Sequence, residues 1–156
     1  MNKNYLSPNG FRLHINHIPE VKFMIQSISL PALKVTGIDI QNFGAFGMKA
    51  PGDNFDLADL TVTFIADEDL KTYESIKLWM ENCVSSNNKL QMRSDAQLII
   101  ETNAKNPNFV ITFTNLFPTS LSELKLSSTL SPEEPIIFTS TFALTDKFYI
   151  ERKTVE

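Results

Sequence analysis

The chain has 156 residues, 42% of them apolar and 21% charged, with a net charge of −4. That length suits one domain able to bury about 70% of its unfolded surface, and a single domain is expected over residues 1–156. The negative balance supplies no positive field for stable nucleic-acid binding, and the lone Cys83 excludes an intrachain disulfide. The N-terminal residues lack the apolar run of a secretory signal and no stretch has the length of a membrane span, so membrane insertion by this chain is not expected. Twelve phenylalanines can fill a core, or part of one that closes only when subunits meet.

Along the chain, apolar residues mostly alternate with period two, the mark of strands with one face on a core. Phe11, Leu13 and Ile15 alternate with Arg12, His14 and Asn16, and Val21, Phe23 and Ile25 with Lys22, Met24 and Gln26. Ile18-Pro19-Glu20 between them reads as a tight hairpin. A third strand follows Pro31 through Val35 and Ile38 to Ile40. Residues 42–58, with Gly44, Gly47, Pro51 and Gly52, read as a long loop or irregular arm. Phe43, Phe46, Met48 and Phe55 are too many large apolar side chains for a solvated linker.

Leu60, Val62 and Phe64 mark the next strand. A helix is expected over 68–84, with Asp67 as N-cap and Glu68 and Asp69 at the positive end of the dipole. Leu70, Tyr73, Ile76, Met80 and Val84 recur at helical spacing, and Cys83 reads as buried filler. Three strands follow, carried by Ala96, Leu98 and Ile100, by Phe109, Ile111 and Phe113, and by Ile136, Phe138, Phe142 and Leu144 with Ser140 interrupting. Residues 103–108 form the hairpin loop between the first two. Leu121, Leu124 and Leu126 suggest a short strand or turn before Ser131-Pro132-Glu133-Glu134-Pro135. Strands around one helix give a mainly β (α+β), barrel-like fold dominated by antiparallel pairing.

Nothing in this pattern assembles a catalytic or metal site. His14 and His17, three apart on a strand, point to opposite faces and cannot converge on a metal. Asp53, Asp56 and Asp59 lack the alternate-position spacing of a calcium loop and read as turn-forming groups. Gly44 and Gly47 are followed by no Lys-Ser or Lys-Thr pair, so they do not form a phosphate cradle. Cys83 has no histidine near it in sequence. The expectation is a protein that is not an enzyme and needs no cofactor.

In order and spacing, several segments resemble the tail-tube protein family of contractile-tailed, T4-like myoviruses. They are Ser29-Leu30-Pro31, then Pro51-Gly52-Asp53-Asn54-Phe55-Asp56 ahead of Asp59-Leu60-Thr61-Val62-Thr63-Phe64, then Asp67-Glu68-Asp69 opening a helix that contains Trp79, and finally Asn115-Leu116-Phe117-Pro118-Thr119-Ser120-Leu121-Ser122-Glu123-Leu124. The resemblance implies two packed antiparallel sheets in a small barrel or sandwich with a flanking helix. It further implies hexameric rings stacked into a tube that conducts DNA into the host, in a virion assembled in the host cytoplasm. The partners implied are other copies of the chain, a sheath outside, baseplate and tail-terminator proteins at the ends, and tape-measure protein and DNA passing through.

On the family's plan, residues 42–58 would join rings through Phe43, Phe46, Met48, Phe55 and Asp56. Strand parity, combined with the family's inner barrel, turns Gln97, Glu101, Thr112 and Thr114 toward the channel, with Lys22 and Gln26 from the early strand. A repeating tube subunit is the leading expectation. The alternatives are a tube subunit of a related injection or secretion apparatus and a specialised ring that starts or ends the tube. A third class is a monomeric barrel whose phenylalanines line an apolar ligand pocket.

Overall fold

The computed structural model describes residues 5–6, 8–19, 25–40 and 47–152. Nine strands occur among them: β1 (Phe11–Ile15), β2 (Ile25–Ser29), β3 (Leu33–Ile40), β4 (Met48–Leu57), β5 (Leu60–Ile65), β6 (Ser94–Glu101), β7 (Pro107–Leu121), β8 (Ile137–Leu144) and β9 (Tyr149–Arg152). One α-helix, α1 (Lys71–Ser85), and a short 3-10 turn (Lys89–Met92) separate β5 from β6. The architecture is mainly β, with two antiparallel sheets and one helix. Seven strands form the larger sheet in the order β1-β6-β7-β8-β5-β2, with β9 also on β7, and β3 and β4 form the smaller one.

Period-two alternation explains the larger sheet directly. In β5, Leu60, Val62 and Phe64 are buried while the threonines between them are half-exposed. In β8 the buried positions are Phe138, Ser140 and Phe142. Ser140 therefore keeps the parity, and its Oγ donates to the Ser120 carbonyl at 3.0 Å, which satisfies the hydroxyl inside the core.

The long strand β7 bends this sheet around its own core. Its first half lies between β6 and β9, and its second half pairs with β8. Asn115 takes a left-handed φ of 54° at the changeover, and the ladder slips again between Pro118 and Ser120, where a proline's missing donor is tolerated. Asn115 to Leu121 is thus a bend within one strand, and of the residues expected to form a short strand or turn, Leu121 ends β7 while Leu124 and Leu126 lie beyond it outside any strand. The two halves and α1 enclose a single apolar cluster running from Leu13, Leu98 and Phe113 through Phe64 and Phe142 to Ile76 and Trp79.

Three expectations are corrected. Among the described residues no hairpin joins β1 to β2: β1 pairs with β6 and β2 with β5, on opposite edges of the sheet, while Glu20, Val21 and Phe23 of the expected hairpin lie outside the described residues. A tight turn does follow β1, closed by the Ile18 N–H donating to the Ile15 carbonyl at 3.0 Å. The expected loop over 42–58 is, from Met48 to Leu57, a regular strand paired with β3.

The helix starts at Lys71 rather than 68. Leu70 sits in front of it at a left-handed φ of 53° and is exposed instead of lying on the core face. Asp67 still caps it, accepting from the Lys71 N–H at 3.1 Å and the Thr72 N–H at 3.5 Å. The buried face consists of Thr72, Ile76 and Trp79, with Tyr73, Met80 and Cys83 packed beside them and Val84 outside.

Candidate functional site

The β3–β4 hairpin is the part of the surface least explained by the core. All eight residues of β3 are exposed. Leu33, Val35, Ile38, Ile40, Met48 and Phe55 are each between 44% and 53% exposed, apolar area that a lone subunit does not ordinarily leave to water in one connected element. We call this hairpin the arm.

The arm is pinned at its base, where Pro31 is buried and the Ala58 N–H donates to the Ala32 carbonyl at 3.0 Å. A cleft of about 400 Å³ lies between Phe55–Leu57 of the arm and Leu144–Lys147 of the body. Asp56 stands opposite Lys34 and accepts from the Thr36 hydroxyl at 3.4 Å. One close approach makes a glycine obligatory: a Cβ on Gly52 would lie 2.4 Å from the Thr36 carbonyl oxygen.

Of the residues expected to join rings, Met48, Phe55 and Asp56 all lie on β4 of the arm, Met48 toward its tip and Phe55 and Asp56 at its base, while Phe43 and Phe46 lie outside the described residues. Lys22 also lies outside them, and Gln26 is exposed on β2. Gln97 and Thr112 stand opposite each other on the outer face of β6 and β7, as parity requires. Thr114 shares that face, but its hydroxyl is enclosed.

Glu101 keeps its parity, because the register shift beside it is an extra residue, Asn108, on β7, and it lies on the side of Arg12; it is nevertheless covered, at only 6% exposed. Its carboxylate pairs with the Arg12 guanidinium, and its N–H donates to the Gly10 carbonyl at 2.7 Å. It tethers the start of β1, and the pairing leaves little of the carboxylate open to solvent.

Sequence reasoning missed Trp79 as the centre of the helix packing. Its indole N–H donates to the Met92 carbonyl at 2.7 Å, and its ring stacks on His17 at 4.6 Å and leans on Phe142 at 5.9 Å. Partial burial against this ring lowers the His17 pKa from its ordinary value, and burial likewise raises that of Cys83. Among the described residues no three histidine, cysteine or carboxylate side chains gather as a metal would need, and no helix is long and apolar enough to cross a membrane.

No protein-family model matches the chain. It is 26% identical over 148 residues to the tail tube terminator protein of Enterobacteria phage T4, covering 89% of this chain and 83% of that protein. In fold it is similar to the tube-terminating cap of the anti-feeding prophage, with a TM-score of 0.75 at 16% identity over 98% of this chain and 95% of that one. A chain in the sheath–tube complex of the PVC extracellular contractile injection system gives 0.74 at 15% over 97% and 94%. A chain of that system's sheath/tube terminator gives 0.72 at 16% over 96% and 99%. The chain is thus similar in sequence to a phage tail tube terminator and has the fold of tube and tube-terminator chains of contractile injection systems.

Proposed function

We propose that the chain is a non-enzymatic structural subunit that forms a hexameric ring closing the tube of a contractile tail. The observation that carries ring formation is the arm: apolar side chains half-exposed along both strands of a well-formed hairpin call for a neighbouring surface. A head-to-tail arrangement supplies that surface to every copy and closes by rotation. Between the expected repeating subunit and the alternative of a terminating ring, the similarity to a tube terminator along most of the chain favours the terminator. Its partners would be its own copies, the last ring of the tube and the sheath end around it, with tape-measure protein and DNA passing through.

The outer face bearing Gln97 and Thr112 is our candidate for the channel wall, with Thr114 beside it and Gln26 from β2. These side chains are neutral, so phosphates would meet no fixed positive charge from them and DNA would slide without being held.

The test is assembly. Purified protein, measured by mass photometry and negative stain, should give discrete rings of six 17.6 kDa subunits. Added to growing tubes of the cognate tube subunit, these rings should arrest elongation at one end. Long tubes from this chain alone would overturn the terminator reading, and monomers at all concentrations would overturn the ring.

A further inference from the structure

The register of the arm assigns its two faces. Leu33 stands opposite Leu57 and Val35 opposite Phe55, whereas Ile38 stands opposite Ala50 and Ile40 opposite Met48. Directly paired residues share a face, and along one strand the face alternates. Leu33 and Val35 therefore lie on one side of the hairpin, and Ile38 and Ile40 on the other. The pairing passes from Val35–Phe55 to Gly37–Pro51, which leaves Gly52, Asp53 and Asn54 opposite Thr36 alone. Two extra residues preserve the parity of β4, so Phe55 and Leu57 stay with Leu33 while Ala50 stays with Ile38.

The apolar side of the arm thus changes over at the bulge. At the base, Leu33, Val35 and Phe55 face one way, backed by the opposed charges of Lys34 and Asp56. Toward the tip, Ile38 and Ile40 face the other way, backed by Asp39 opposite Lys49. The close approach of Gly52 to the Thr36 carbonyl holds the changeover point in place.

We infer that the arm is a two-sided connector, its base resting on one neighbouring copy of the chain and its tip on a second. The inference rests on the ring proposed above and specifies how the arm would serve it. Each half-face spans four residues, about 13 Å by 10 Å or roughly 130 Å², far below the roughly 800 Å² per partner of a stable pairwise interface. Neither half holds a dimer alone, and both must be covered at once. The charges on each polar side are matched across the hairpin, so an occupant need not be charged. The body supplies reciprocal apolar surface in Ile137, Tyr149 and Ile150, each about half-exposed. Copies of the same chain on both sides of the arm satisfy all of this with one repeated contact set.

The experiment uses the full chain with photo-crosslinking groups. Chains carrying Val35→p-benzoylphenylalanine, Ile38→p-benzoylphenylalanine or both are co-expressed with about a twentyfold excess of unlabelled chain, the ring fraction is isolated by size, and it is irradiated. Each single substitution should give a covalent dimer. The doubly substituted chain should give a trimer with two unlabelled copies, at a yield near the product of the single yields. Rings in which the double substitution gives dimers only would overturn the two-sided connector while leaving the ring reading intact. A total absence of rings in unlabelled protein would overturn both.

As a second measurement, Val35→Ser and Ile38→Ser should each lower the ring fraction at least tenfold at fixed concentration, with unchanged circular dichroism. A normal ring fraction in either variant would overturn the inference.

Discussion

Trp79 gives the most demanding test of the body. It is fully buried, joins α1 to the 3-10 turn through its bond to the Met92 carbonyl, and packs between His17 and Phe142. Trp79→Ala removes the whole indole at a cost of about 3–5 kcal/mol, and the Met92 carbonyl loses a partner worth about 1 kcal/mol. Trp79→Phe keeps a ring in the cavity but loses the N–H donor and some volume, for about 1–3 kcal/mol. With a urea m-value of about 2 kcal/mol/M, the alanine variant should unfold roughly 2–3 M earlier and the phenylalanine variant roughly 1 M earlier. Circular dichroism is the probe for the variants. In the wild type, fluorescence reports this site alone, because the chain has a single tryptophan. An unchanged midpoint in Trp79→Phe would refute the account of the indole as a bonded anchor.

Asp67→Ala should cost about 1 kcal/mol in urea unfolding, because the Lys71 and Thr72 N–H groups lose their acceptor; no change would mean that water caps the helix equally well. His17 supplies a pH dependence. Its folded pKa is lowered by burial, so the unfolded chain binds the proton first, and its contribution to stability is full above the ordinary value of 6.5 and declines as pH falls below it. Comparing wild type with His17→Gln in urea at pH 7.5 and 5.5 checks this, and an equal pH difference in both would exclude His17 as the source. Gly52→Ala places a methyl group against the Thr36 carbonyl; circular dichroism should stay native while the ring fraction in mass photometry falls severalfold, and normal rings would show that the bulge yields without consequence.

The buried sides of β1, β5, β6, β7 and β8 were legible because their alternation records burial in the same residues that carry it, such as Leu60, Val62 and Phe64. Pairing was less legible. Pro19 signals a local turn, but no local feature reports that Leu13 pairs with Leu98 across the whole length of the chain between them. In β4, Pro51 and Gly52 argued for a loop, because strand propensity counts packing and this strand has almost none within the subunit.

For Glu101, parity reports the side of the strand but not what covers it, and the Arg12 guanidinium that pairs with this carboxylate comes from the distant strand β1. On the helix, the spacing of Leu70, Tyr73, Ile76, Met80 and Val84 passes over Trp79, which is the fully buried residue. Leu70 and Val84 fit the spacing, but the helix begins after Leu70 and has turned away from the core by Val84. The changeover in the arm did leave a trace in the sequence: the apolar alternation of Leu33 and Val35 shifts by one residue to Ile38 and Ile40 across Thr36-Gly37.

The order of strands in the larger sheet has a consequence for how the protein is made. Val62 pairs with Ser140, and β5 is what holds β2, so the half of the body nearest the arm waits for a strand encoded near the end of the message. At about 5–20 residues per second, the ribosome takes roughly 4–17 s to travel from Leu60 to Leu144. Throughout that interval the early strands are threaded through the nascent chain without their permanent neighbours. A subunit still tethered to its ribosome therefore has an arm but no finished body behind it, and release from translation, rather than local folding of the hairpin, determines when a copy becomes competent to join others.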